Sequence, residues 1–337
     1  MSAHPAVVTD DAEPSVTALV AARPHLSLHA LDGLMMEQVP LAAIADALGT
    51  PVWVYSAGCM RARLAALTGA LRDLPVHVHY AVKANDHLAV LRLMAAGGAG
   101  ADVVSEGELR RAREAGIAAD NIVFSGVGKT AAEIRLAIIE GILQINVESA
   151  EELEMVSAIA TALGRSARVA LRVNPDVDAG THAKITTGTA ETKFGIPYAE
   201  AAAVYARAAA LPGVVPVGLA LHIGSQILSM APYRAAFACA ADLVRALRAQ
   251  GLAVGRVDCG GGLGIGYGEE ADASPAALAG ALRGAFGGIG SGTDGRARAL
   301  AGRAGRRAAR QRGAGQGGRT VRGAGRRDER SHASRHV

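Results

Sequence analysis

Long apolar runs are missing from this sequence. No stretch of eighteen apolar residues occurs in the 337-residue chain, so no ordinary membrane-spanning helix is expected. The N-terminus has no basic start leading into an apolar stretch, and a secretory leader is not expected either. Cysteine is scarce. Cys59, Cys239 and Cys259 are scattered, with neither zinc-ligand spacing nor a disulfide framework, which suits a reducing cytoplasm and a protein without a metal site. Lysine is scarcer than arginine by far, with only Lys83, Lys129, Lys184 and Lys193 in the whole chain. A sequence that uses arginine for plain charge has kept a lysine at 83, which makes Lys83 a candidate for chemistry.

Half of the residues are hydrophobic, enough for a sizeable core in one large domain or two ordinary ones. The net charge of +4 conceals an uneven distribution. Residues 291–337 hold 13 arginines, no lysine and three acids, for a net +10. Residues 1–290 hold 22 basic and 28 acidic residues, for a net −6. The body is mildly acidic and the tail strongly basic.

Residues 1–25 are polar and proline-punctuated and read as a disordered arm. Residues 26–56 contain a hairpin-like Asp-Gly turn, a short helical pattern and a strand, VWVYS. From 76 onward, strand-like runs at 76–82, 101–104, 122–124, 143–147, 168–173, 217–223 and 256–259 alternate with Ala-rich amphipathic segments such as EGELRRAREAG and SAEELEMVSAIATALG. Strands and helices in this rhythm predict βα units and a parallel sheet over 57–285. Seven units are countable, where a (β/α)8 TIM-type barrel needs eight. Polar and Gly-rich positions follow the strands. A barrel would bring them to one face, and a doubly wound sheet would also place them at strand C-termini, without ringing one pocket.

Lys83 ends a run, VHVHYAVK, that otherwise reads as a buried strand. A lysine there is either a cation paired with a carboxylate or an amine nucleophile for a carbonyl compound. The scarcity of lysine favours the second. GGGLGIGYG at 260–268 is either a phosphate cradle or a flexible turn, and it has no dinucleotide-binding register. His222 is a ring-stacking or acid/base residue, or a hydrogen-bonded strand end. Asp102 and Glu148 are charge partners in the same mouth or helix caps. A strand-end lysine, a strand-end histidine and a glycine-rich anion site together describe a pocket for pyridoxal 5′-phosphate.

YAVKAN, ADVVSEGEL, HAKITTGTAETKFGI, LHIGSQI and VDCGGGLGIGY, in this order, resemble the diaminopimelate decarboxylase family of pyridoxal-phosphate enzymes. The likeness runs from about 26 to about 285. It implies an alanine-racemase-like barrel, a C-terminal β domain to which 26–56 would join, and a cytoplasmic homodimer. It implies that Lys83 forms the Schiff base with pyridoxal phosphate, that His222 stacks on the pyridine ring, and that Ser225, Gly260, Gly261 and Gly262 bind the phosphate. Arg172 would lie near the ring. The reaction would convert meso-2,6-diaminopimelate to L-lysine and carbon dioxide. Another amino-acid or carboxyl-polyamine decarboxylase of the same fold is the nearest alternative, and a non-catalytic protein that binds pyridoxal phosphate or RNA is another.

The family continues with an eighth strand ending in Glu-Pro-Gly-Arg and then the β domain. This chain has instead an Arg/Gly-rich tail over 286–337 without periodicity. An RNA-binding tail is one reading, although no Phe, Tyr or Trp follows Phe286 to stack on bases. A frameshift is the other. Read from the second base of each codon, Arg296 to the start of Leu300 permits Glu-Pro-Gly-Arg, and Arg327 to the start of Ser331 permits Ala-Met-Asn-Asp, a second family segment. A one-base slip near Phe286–Thr293 would account for both. On this reading the barrel of seven strands stays open, and the chain folds poorly and is close to inactive.

Overall fold

The computed structural model describes residues 15–21, 23, 25–175, 194–266, 271–289 and the backbone of 298–302. By spatial contact the described residues divide into two units, one up to Tyr55 and one from Ser56 onward.

In the first unit, helix α1 (Val16–Ala21) falls within the arm, and the strands β1 (Leu26–His29), β2 (Gly33–Met36) and β3 (Val39–Pro40) form an antiparallel sheet ahead of α2 (Leu41–Leu48). The expected Asp-Gly turn is there. Gly33 adopts φ +69°, which a side-chain-bearing residue resists, and His29 pairs with it across the hairpin. The strand expected at VWVYS is not formed. Residues 52–56 join no sheet among the described residues, and Ser56 caps α3 (Ala57–Leu71), accepting the Cys59 N–H at 2.8 Å. A β-favouring run without a neighbour has no ladder to enter.

The second unit repeats strand and helix. Its strands are β4 (Val76–Ala81), β5 (Gly100–Val103), β6 (Ile122–Phe124), β7 (Gln144–Val147), β8 (Ala167–Asn174), β9 (Ile196–Pro197), β10 (Val214–His222) and β11 (Arg256–Gly260). Its helices after α3 are α4 (Leu88–Ala96), α5 (Glu106–Glu114), α6 (Ala131–Glu140), α7 (Ala150–Ala162), α8 (Tyr198–Ala210), α9 (Ala231–Ala249) and α10 (Pro275–Phe286). Short polar starts explain the helix positions. Ser105, Thr130, Ser149 and Ser274 each accept a backbone N–H of the first turn that follows, and Thr130 with Glu133 completes a reciprocal cap. Each helix lays an apolar stripe on the strands. Leu91, Leu109, Ile134, Leu153, Tyr205 and Phe237 are fully buried in that layer.

The strands pair in parallel in the order β4-β5-β6-β7-β8-β10-β11, with β9 a short addition to β8. Seven βα units are present, as the alternation predicts. The open edge expected beside them is not. A further strand, β12 (Arg298–Gly302), lies in parallel between β11 and β4, with Cys259 opposite Ala301 and Val78 opposite Ala301 on the other side. The ring of eight is closed, which decides for a barrel against a doubly wound sheet. The physical reason is that a ladder uses backbone groups alone. RALAG contains no proline, and two facing edges with unpaired N–H and C=O groups accept such a segment.

Candidate active site

The C-terminal ends of the strands open into one pocket, lined by Lys83, Asp102, Asn146, Arg172, His222 and Asp258 among others. Lys83 stands in a single 3₁₀ turn, Val82–Ala84, directly after β4. Its side chain is exposed at the mouth, contrary to the buried setting the strand pattern suggests. The turn after β4 buries Val82 and leaves Lys83 at the barrel opening, so an amine there stays within reach of a ligand. Among the described residues the buried lysine is Lys129 instead. Its Nζ donates to Gly126 O at 2.7 Å, to Asn146 O at 2.7 Å and to Glu152 Oε1 at 2.9 Å.

Of the two acids with open roles, Glu148 is a charge partner. Its carboxylate accepts Arg172 Nη1 at 2.8 and 2.9 Å and the Gly126 N–H at 3.2 Å. The Arg172 guanidinium carbon also lies over the ring of Phe194, 5.7 Å from its centroid. Its orientation is thereby set by an ion pair and a ring contact together. Asp102 lines the pocket with Asp258, whose Oδ2 accepts Asn146 Nδ2 at 2.8 Å across the barrel. Burial pushes the Asp258 carboxyl up to about 7, with the charge of Asp102 adding to the effect.

The glycine run adjoins His222. A Cβ on Gly260 would stand 3.2 Å from His222 Nδ1, one on Gly261 2.9 Å from the ring of Tyr233, and one on Gly262 2.9 Å from Ser225 Cα. Gly260 thus packs against β10, Gly261 against α9 and Gly262 against the loop that carries Ser225, so the run brings side-chain-free backbone up to that loop only at Gly262. The Gly262 N–H is donated to Gly224 O at 2.9 Å, so this residue serves close approach. An exposed amine at one strand end and a side-chain-free cradle at others fit an aldehyde that bears a phosphate. The structure thus gathers Lys83, Arg172, His222, Ser225, Gly260, Gly261 and Gly262 at one end of the ring. Most of HAKITTGTAETKFGI lies outside the described residues.

A family profile described as "Pyridoxal-dependent decarboxylase, pyridoxal binding domain" matches residues 58–303. The chain belongs to the pyridoxal-dependent decarboxylases. The match covers the whole ring of strands, and the cofactor of this family is pyridoxal 5′-phosphate. The diaminopimelate decarboxylase of Zymomonas mobilis is 48% identical over 245 residues, which is 72% of this chain and 58% of that protein. The diaminopimelate decarboxylase of Pseudomonas aeruginosa is 47% identical, over 70% of this chain and 57% of that one. The crystal structure of the Helicobacter pylori diaminopimelate decarboxylase complexed with L-lysine superposes with a TM-score of 0.74 at 36% identity, covering 78% of this chain and 66% of that chain. The chain thus spans less than three fifths of the length of these curated relatives.

Sequence reasoning passed over Asn146, Asp258 and Lys129. Two of them had a readable signal. Asn146 is a polar residue inside an apolar strand run, and Lys129 is one of only four lysines. Asp258 precedes the glycines, but nothing in its neighbours along the chain announces that Asp102 and Asn146 surround it.

Proposed function

We propose that the chain is a diaminopimelate decarboxylase, a carboxy-lyase that removes one carboxylate of meso-2,6-diaminopimelate and yields L-lysine and carbon dioxide. The observation that carries this reading is the convergence of Lys83, Arg172, His222 and Gly260 on one pocket, with Glu148 pairing Arg172. The names of the relatives support the substrate. A decarboxylase for another amino acid or a carboxyl-polyamine is the second reading. The lysine/ornithine decarboxylase of Vibrio vulnificus shares the fold at a TM-score of 0.64 with 23% identity. A cytoplasmic homodimer belongs to the same proposal.

Pyridoxal phosphate, when bound, supplies an aldehyde for an amine and an electron-poor ring that accepts the electron pair left as carbon dioxide departs. Lys83 Nζ would hold the aldehyde and would pass a proton to or from an incoming amine. Ser225 and the backbone of Gly260 and Gly261 would hold the phosphate, with Gly262 providing the approach. His222 would lie against one ring face. Arg172, oriented by Glu148 and Phe194, offers a charge of set direction for an acidic group. Asp258, titrating near neutrality, is able to hold a proton on its carboxyl at the pocket floor.

The test is spectroscopic first. Pyridoxal phosphate added to the purified chain is expected to give an absorbance band near ~420 nm, from an amine-bound aldehyde, that Lys83→Ala abolishes. A panel of diaminopimelate, lysine, ornithine and arginine then separates the two readings by which one releases carbon dioxide. A chain with no such band, or one whose band survives Lys83→Ala, refutes the assignment of Lys83.

A further inference from the structure

The loop after β10 and the loop after β11 are joined to each other. Gly262 N–H donates to Gly224 O, Ile227 N–H to Gly262 O and Gly264 N–H to Ile227 O, each at 2.9 Å. A short parallel bridge pairs Ile227 with Leu263. These loops carry Ser225 on one side and Gly261 and Gly262 on the other.

Gln226 closes this seam with its side chain. Its Nε2 donates to Ile265 O, and its Oε1 accepts the Ile265 N–H at 3.3 Å. One amide thereby meets both backbone groups of one residue across the gap, as a neighbouring strand would. Gln226 does this from φ +60°, a left-handed conformation that only Glu37 shares among the described residues other than glycine. A β-carbon-bearing residue held there is over-determined by its surroundings, and such positions gather at ligand clamps. The far end of the glycine loop is tied down separately. Gly266 N–H donates to Asp272 Oδ1 at 2.9 Å, and Asp272 Oδ2 meets Arg63 of α3 at 2.6 Å. The loop after β11 is anchored to the barrel wall at one end. Gln226 anchors it to the other loop.

We propose that Gln226 is a positioning residue for a phosphate monoester, holding the loops after β10 and β11 together as one anion-binding surface. This rests on the reading that the pocket takes pyridoxal phosphate and adds that retention of the phosphate end is set by Gln226, independently of the aldehyde end at Lys83. Gln226 touches neither end. It acts by keeping Ser225 at its distance from Gly261 and Gly262.

Two ligands separate the ends. Pyridoxal has the same ring and aldehyde as pyridoxal phosphate but no phosphate. Two variants separate the clasp from the strained backbone. Gln226→Ala removes the amide and keeps the strain, whereas Gln226→Gly removes both, since glycine takes a positive φ freely. Dissociation constants of both ligands are read on the full chain from the band near ~420 nm. Both variants are expected to bind pyridoxal phosphate about tenfold more weakly and pyridoxal within about twofold of the unsubstituted chain. Wild-type affinity for pyridoxal phosphate in Gln226→Gly overturns the proposal, as does an equal loss for both ligands. An unsubstituted chain that gives no band with either ligand overturns the pocket reading itself, and the proposal with it.

Discussion

Asn146 uses every polar group of its side chain. Its Nδ2 donates to Ser125 Oγ at 2.9 Å and to Asp258 Oδ2 at 2.8 Å, while its Oδ1 accepts Gln144 Nε2 at 2.8 Å. The barrel interior below the pocket is therefore a polar network, and the apolar core lies outside the strands. Asp258 sits at its charged end. Burial raises its carboxyl most, Asp102 adds to this, and the Asn146 hydrogen bond and the charge of Arg172 oppose it, leaving a value of about 7 against an ordinary 3.8. Folding then takes up a proton between these values. Stability is unaffected below the lower value, falls as pH rises through the window and is level above it. Asp258→Asn keeps an oxygen for Asn146 and removes the charge. It is expected to raise stability by about 2 kcal/mol at about pH 8 and to leave it unchanged at about pH 4. Urea titrations at both pH values check this, and a gain of equal size at both would show that the ionisation is not the cause. The sequence marks Lys83 and His222 as site residues because each ends a strand run. It gives no such mark to Asp258, whose titration depends on residues more than a hundred positions away.

Lys129 joins three elements. It binds the loop after β6 through Gly126, the strand β7 through Asn146 and the helix α7 through Glu152. The second oxygen of Glu152 accepts the Glu148 N–H at 2.7 Å, so the same cluster sets the backbone of the residue that holds Arg172. The Lys129 and Glu152 side chains are 1% and 9% exposed, so neither partner has water to replace the other. Lys129→Met is expected to destabilise the chain by about 3–5 kcal/mol, because it leaves a buried carboxylate without its cation. Adding Glu152→Gln should recover at least half of that loss, since a glutamine still accepts the Glu148 N–H. Denaturant midpoints of the two variants test the pair. A double variant no more stable than the single one would mean that the lysine acts through packing alone. At this scale the sequence reads well. Helices α5 and α7 lie within the segments that periodicity selects, because Ser105 and Ser149 supply caps at their starts. It fails at VWVYS, where β propensity lacks a partner strand.

The ring as a whole closes through β12, in a segment of low complexity that shows no strand pattern. The residues from Arg296 to Leu300, whose second-base frame permits Glu-Pro-Gly-Arg, overlap this strand. The strand β12 and the segment whose second-base frame permits Glu-Pro-Gly-Arg thus fall at the same place along the chain. We propose that the reading frame changes near Phe286–Thr293. Genomic DNA covering codons 284–300 is expected to show one base gained or lost relative to the frame that encodes this chain. DNA that encodes the chain unchanged, with a second-base frame that does not spell the family segments, would refute the slip. In that case the eighth strand is RALAG, and the ring is completed by backbone pairing alone.

Local order needs only local information. Strand runs, caps, the Asp-Gly turn and the lysine after a strand are properties of a few adjacent residues, and the sequence by itself determined the seven βα units and placed the candidate site residues at their strand ends. What neighbours in space decide had to come from the tertiary structure. Closure by β12 depends on two edges that meet only when the sheet curls. The exposure of Lys83 and the burial of Lys129 depend on which loops cover them. The near-neutral titration of Asp258 depends on Asp102 and Asn146 arriving from other strands, because desolvation and charge act through distance in space and not along the chain.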